Sequence, residues 1–220
     1  MTLFRLDSSI RAEGSVSREV ADTLERAYLE QHPTDAAVHR DLRTDPIPAD
    51  AWPQAALAGA LPEDRRSPEQ RAATALAAQM TDEVAGADAL VVATPLYNFG
   101  VSQHLKAWID LLITDPRFAP GTTPLAGRPA TLVVARGGGY GDDTPRAGWD
   151  HATGWIVRIL ADVWGAEVTL VEAELTLAET VPAMAELRPL ADQVRARAHE
   201  RAGDAGREMA RTVNGAEPVA

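Results

Sequence analysis

The chain has 220 residues, 45% hydrophobic and 24% charged, the composition of a globular protein long enough to bury its own core. Lysine and arginine total 21 against 32 aspartates and glutamates, and the resulting net charge of −11 argues against a nucleic-acid or anionic-membrane partner. Cysteine is absent, which excludes disulfides, thiolate metal sites, iron–sulfur clusters and cysteine nucleophiles, so any electrons handled here must ride on an organic cofactor.

Residues 2–6 form a short apolar run ending at Asp7-Ser8-Ser9, a buried strand and then a loop. Arg5 and Asp7 interrupt the run, so it is no secretory h-region, and no window reaches the ~18 apolar residues of a membrane span. A cytoplasmic protein is the default. Val20, Ala21, Leu24, Ala27 and Tyr28 carry helical spacing over residues 17–29, with the helix starting near Ser15 or Ser17. Residues 36–42 read as a second strand. Residues 46–68 are a long connection holding a helical turn or two. Ser67 is an N-cap with Pro68 at the first helical position, opening a helix to about Ala85.

Residues 88–94 make the clearest buried strand, ended by Pro95. A helix over 102–112 places Leu105, Trp108, Ile109 and Leu112 on one face. Residues 130–135 are the fourth strand, broken by Gly137-Gly138-Gly139, followed by a helix over 149–164, a fifth strand over 167–175 and a long helix over 182–209. Residues 1–212 form one domain, and 213–220 a frayed tail. This alternation predicts an α/β fold, a doubly wound parallel sheet with helices on both faces. With five strands the flavodoxin-like order 2-1-3-4-5 is expected, and it puts the ligand crevice at the carboxyl ends of strands one and three.

Three loops meet at that crevice. The first, residues 8–17, carries Ser8, Ser9, Ser15 and Ser17, whose hydroxyls with helix N-terminal amides suit a phosphate, with Arg11 at the rim. Helix capping needs only one of these serines and is the alternative. The second, Pro95-Leu96-Tyr97-Asn98-Phe99-Gly100, offers aromatic rings to a planar ligand or simply fills core gaps. The third, 136–141, has glycines that let backbone approach a flat ligand, or is a flexible turn. No GxGxxG, Walker loop or GxSxG is present, Lys106 is the only lysine, and the histidines at 32, 39, 104, 151 and 199 lack metal-ligand spacing.

Taken together, the segments SSIRAEGSVS from Ser8, RDLRTDPIP from Arg40, TPLYNFGVSQHLKAWIDL from Thr94 and ARGGGY from Ala135 resemble the FMN-dependent NADH-azoreductases, a branch of the flavodoxin-like NAD(P)H:quinone oxidoreductases. The resemblance covers the chain to about Leu175. It implies FMN phosphate on Ser9, Ser15, Val16 and Ser17. It implies the isoalloxazine against Leu96, Tyr97, Asn98 and Phe99, and against Ala135, Arg136, Gly137 and Gly138. It also implies ping-pong transfer of electrons from NADH or NADPH through FMN to a quinone, an azo compound or another aromatic acceptor, and a homodimer with sites near the interface. Where familiar members carry a bulky apolar residue and then histidine, this chain has Gly139-Tyr140. That puts acceptor preference in play and makes Tyr140 the candidate acid, if a side chain serves as one. The faces of Trp108, Ile109 and Leu112 and of Trp155 and Ile159 are expected at the dimer interface. The alternative function is a flavodoxin-like FMN electron carrier serving a protein partner.

Overall fold

The computed structural model describes residues 1–215. Five strands, β1 (Thr2–Asp7), β2 (Ala36–Asp41), β3 (Ala89–Pro95), β4 (Pro129–Ala135) and β5 (Glu167–Ala173), pair in parallel in the order β2-β1-β3-β4-β5. The expected topology is therefore the observed one, with the winding reversing between β1 and β3.

Strand periodicity sorts the core into two layers. Leu6, Val92, Leu132 and Leu170 lie in register across the sheet and face α3 (Pro68–Ala85) and α4 (Gln103–Leu112). The alternate residues Leu3, Val91, Ala93 and Val133 face α1 (Val16–Gln31) and the C-terminal helix α6 (Arg188–Gly215). Ala198, Ala202, Ala205 and Ala210 line the buried side of α6, and its Gly206 lies so close to the Leu24 carbonyl oxygen that a Cβ there would overlap it.

Several boundaries differ from expectation, each for a local reason. The long connection folds into α2 (Ala51–Ala58) and a 3-10 turn (Glu63–Arg65). The helix expected from 149 begins at Thr153 as α5 (Thr153–Val157), because Asp150 Oδ1 accepts from the amides of Ala152 and Thr153, both at 2.9 Å. It continues as π-helix over Arg158–Val163, where the Trp164 amide reaches Ile159 oxygen at 2.9 Å. The last helix is a 3-10 stretch (Pro182–Leu187) followed by α6, because Pro189 has no amide and is tolerated only in a first turn. Residues 213–215, expected to fray, extend α6, with Val213 buried; the rest of the expected tail lies outside the described residues.

The Trp108 face is a correction of another kind. Trp108, Ile109 and Leu112 are at most 1% exposed and belong to the core, so they offer nothing to a partner. Helical spacing identifies an apolar face and not what covers it. Here α4 lies on the sheet, with Trp108 stacked on Phe4 at 6.1 Å and edge-on to Trp164. Trp155 and Ile159 are half-buried against the same core.

Candidate functional site

The carboxyl ends of β1, β3 and β4 open onto a cavity of about 290 Å³, lined by Ser9, Arg11, Gly14, Ser15, Val16, Ser17, Pro95, Leu96, Tyr97, Asn98, Ala135, Gly137, Thr176 and Leu177. The volume is at the lower end of the roughly 300–1,000 Å³ of small-molecule sites. All three loops expected at the crevice contribute to it.

The serine loop ends at α1 in a way that helix capping does not explain. Ser15 occupies the N-cap position, but its side chain makes no capping hydrogen bond; its Oγ lies 3.3 Å from Ser17 Oγ instead. Both serines are buried yet line the cavity. The first backbone bond of the helix runs from the Glu19 amide to Ser15 oxygen, which leaves the amides before it without an intrahelical acceptor. Free amides, hydroxyls and the positive end of the helix dipole together make an anion cradle. Arg11 adds a cation at the rim, with no carboxylate partner within 4.0 Å among the described residues.

Below the cradle, ion pairs hold its floor. Arg18 donates to Ser9 oxygen at 3.0 Å and to Asp41 Oδ1 at 2.6 Å, with Asp7 Oδ2 at 3.5 Å. Burial pushes the Asp7 carboxyl up, against the pull of Arg5 and Arg18. This charge serves the loop's position, since Asp7 and Arg18 do not line the cavity.

The second loop is a tight two-residue turn. Asn98 and Phe99 both have positive φ, 49° and 65°, and the Gly100 amide closes the turn on Tyr97 oxygen at 2.9 Å. Such angles are uncommon for residues with a Cβ, and for a bulky residue such as Phe they mark local strain. Tyr97 reaches the first loop, its Oη accepting from the Ile10 amide at 3.2 Å. Leu96, Tyr97 and Asn98 line the cavity, whereas Phe99 turns outward, 37% exposed, edge-on to Trp149 at 5.2 Å.

The glycine loop is pressed between neighbours. A Cβ on Gly137 would lie 2.6 Å from Leu177 Cδ1, and one on Gly138 would overlap the Arg146 guanidinium. The segment after β5 clasps this loop through backbone: Leu175 to Gly138 oxygen, Thr176 to Arg136 oxygen and Leu177 to Gly137 oxygen, at 3.1–3.2 Å. Ala135 and Gly137 line the cavity; Arg136 and Gly138 do not. The Arg136 side chain points away, into Asp150, Glu172 and Glu174.

Tyr140 also stands outside the cavity, its ring 5.9 Å from the Arg136 guanidinium and its amide on Glu174 Oε1 at 3.0 Å. Thr176 and Leu177 are lining residues that sequence reasoning missed. The usable signal was topological: β5 is the neighbour of β4, so the chain leaving β5 must pass the glycine loop.

Asp150 links this loop to α5. Burial works to raise its carboxyl, but hydrogen bonds from Thr153 and the amides of 152 and 153, with Arg136 nearby, hold it below the usual carboxylate range. A carboxyl lowered by folding adds stability that is complete above its unfolded value of about 3.9 and is lost as pH falls through the folded one. Asp150→Asn is therefore expected to lower the melting temperature at pH 7 and to lower it by less at pH 3. Thermal unfolding of both proteins at the two pH values checks this; an equal loss at both would assign the effect to packing.

Among the described residues no cluster of three or more His, Cys, Asp or Glu side chains is arranged to hold a metal. The residues present do fit FMN: hydroxyls and amides at a helix N-terminus for a phosphate, an aromatic turn, and a glycine loop that lines the cavity at Gly137.

Comparison with known proteins agrees. The profile described as flavodoxin-like fold matches residues 1–200. An "FMN-dependent NADH:quinone oxidoreductase" of Streptomyces avermitilis is 37% identical over 214 residues, 95% of this chain and 97% of its own length. One of Parafrankia is 38% identical over 157 residues, 70% of this chain and 74% of its own. Among solved structures, an azoreductase from Bacillus anthracis superposes with a TM-score of 0.75 at 23% identity, covering 94% of this chain and 98% of that one, a shared fold.

Proposed function

We propose that this chain, which belongs to the flavodoxin-like family of FMN-dependent NADH:quinone oxidoreductases, binds FMN in the cavity and passes electrons from NADH to a quinone, azo compound or related aromatic acceptor. The observation that carries the reading is the buried pair Ser15 and Ser17, placed at a helix N-terminus and not used for capping. A phosphate accounts for that arrangement, and capping does not.

The residues divide the work. Ser9, Ser15, Ser17 and the amide of Val16 would hold the phosphate, with Arg11 at the rim. Leu96, Tyr97 and Asn98 would meet the ring system, as would the backbone of Ala135 and Gly137. Bound FMN supplies the hydride acceptance and onward transfer that no side chain here can perform. Amides of the glycine loop would hydrogen-bond the ring edge where negative charge gathers. Tyr140 lies outside the cavity lining, so a proton donated to the product comes from solvent unless that loop moves. Phe99, Arg136 and Gly138 support the site through backbone placement rather than by lining it.

The protein should bind one FMN per chain. Under anaerobic conditions NADH should bleach the flavin absorbance at about one equivalent, and a quinone should restore it. A protein that leaves added FMN fluorescence unquenched overturns the reading. A bound flavin that NADH does not bleach, though dithionite does, would favour an electron carrier.

The reading extends to a homodimer and to the cytoplasm, where NADH is turned over. A second groove of about 1030 Å³ shares Tyr97 and Asn98 with the cavity and carries Ile10 and Trp52, at least half exposed, beside Pro46, Ile47 and Val101. A second copy seated there would bury these side chains next to the site and would replace the Trp108 face as the interface. Light scattering should give twice the chain mass at micromolar concentration, and Trp52→Glu should shift it toward the monomer. Among the described residues no helix is long and apolar enough to cross a membrane.

A further inference from the structure

We propose that Arg146, Phe99 and Trp149 form an acceptor-selecting platform at the mouth of the cavity, favouring planar aromatic acceptors that carry a negative charge such as a sulfonate or carboxylate. The proposal rests on the oxidoreductase reading above and names the substrate class of that site.

Three observations converge on it. First, Phe99 is held in an unfavourable backbone conformation that turns its ring outward. Its φ is 65°, following Asn98 at 49°, and its carbonyl accepts from the His151 amide at 2.9 Å. Strain kept at a site edge, where it exposes an aromatic ring, points to a use for the ring. Second, that ring is half of an exposed aromatic pair. Trp149, 50% exposed, meets it edge-on at 5.2 Å with an interplanar angle of 82°.

Third, the Arg146 guanidinium lies over the Phe99 ring, 6.0 Å from its centroid, and occupies the space a Gly138 side chain would need. It is therefore placed between the aromatic turn and the glycine loop. Among the described residues no carboxylate lies within 4.0 Å of it. Arg136, two residues before Gly138, shows the contrast: three carboxylates neutralise it.

A free cation at this mouth has a specific electrostatic consequence. The chain carries −11, so its overall field repels anions. A guanidinium held over the Phe99 ring offsets that field locally and would pair with an anion carried by an aromatic acceptor. None of the three residues lines the cavity itself. They stand outside the space expected for the cofactor, and the charge is left for what approaches it.

The test uses the FMN-loaded enzyme and a matched pair of acceptors, 1,2-naphthoquinone and 1,2-naphthoquinone-4-sulfonate, with wild type and Arg146→Gln. The ratio of kcat/KM for the sulfonate to that for the neutral quinone should fall about fivefold in the variant, the upper end for an exposed ion pair. Arg146→Lys should recover part of it. Calorimetric binding of the redox-inert pair naphthalene-2-sulfonate and naphthalene-2-sulfonamide should show the same loss, confined to the sulfonate. Unchanged ratios in both measurements overturn the platform. So does a variant whose only defects are weaker FMN binding or a raised KM for NADH, which would assign Arg146 to those ligands. A wild-type protein that neither holds FMN nor oxidises NADH would sink the oxidoreductase reading instead, so the two failures are distinct.

Discussion

Alanine at Ser9, Ser15 or Ser17 is expected to weaken FMN binding by roughly 10- to 150-fold per position while the rate of flavin reduction by NADH at saturating FMN stays within a few-fold of wild type. A hydrogen bond to a charged group contributes about 1.5–3 kcal/mol, and each 1.4 kcal/mol is about a decade in affinity. The effect is confined to binding because the serines cluster at the α1 end of the cavity, with Gly137 and Leu177 lining it elsewhere. If the serines only stabilised the helix, the same changes would lower stability by about 1 kcal/mol and leave FMN affinity of the folded protein intact. The absence of a side-chain cap at Ser15 sets the expectation the other way: affinity lost, melting temperature of the apoprotein nearly unchanged. Fluorescence titration with FMN and thermal unfolding of the same three variants decide it. Intact affinity would remove the phosphate from this loop.

The second large effect is expected far from the site, at Gly206→Ala. In an exposed helix that change stabilises by about 1 kcal/mol. Here an added Cβ would overlap the Leu24 carbonyl oxygen and approach Ala27 Cβ at 3.2 Å. The obstacle is backbone of a helix that is itself packed on the sheet, so α6 must move away from α1 and loosen the contacts of Ala202, Ala205 and Ala210. Overpacking of this kind costs typically about 1–3 kcal/mol. The net result is a loss, read as a melting temperature several degrees lower, at roughly 2–4 °C per kcal/mol for a chain of this size. Gly203→Ala is the internal control. Its Cβ would meet only the end of the Arg207 side chain, nearest at 3.4 Å, which can swing aside. A Gly206 variant as stable as the Gly203 variant would show that the two helices separate without cost.

Much of this was legible because the decisive signals were local. The apolar runs ending at Thr94 and Ala135 identify β3 and β4 and place two of the three loops. The serines at 15 and 17 announce a helix start, though not what their hydroxyls face, which depends on the loops across the crevice. Thr176 and Leu177 were missed because nothing in their own composition marks them; only the neighbouring of β5 with β4 brings them in. Arg136 looked like a ligand residue beside the glycines, and the carboxylates that claim its side chain come from positions 150, 172 and 174. The Trp108 face shows the limit of periodicity, since a helix buried in the core and one facing a partner carry the same stripe.

The π-helical stretch over Arg158–Val163 makes the helix containing it one residue longer than its span requires. That surplus turns the following residue by about 100° relative to a regular helix. It brings Trp164 edge-on to both Trp108, at 6.1 Å, and Phe118, at 5.1 Å, fully buried between them. The stretch thus acts as a register shim. Deleting the exposed Asp162 would restore ordinary i→i+4 bonding and lose no core side chain, and it would leave the indole in its slot, because the residue removed and the rotation it compensates cancel. The helix can therefore lose this one residue with the aromatic trio intact, whereas one residue more or fewer than that would turn Trp164 by about 100° away from Trp108 and Phe118, so chain length here is constrained by the core and not by the surface on which the extra residue lies.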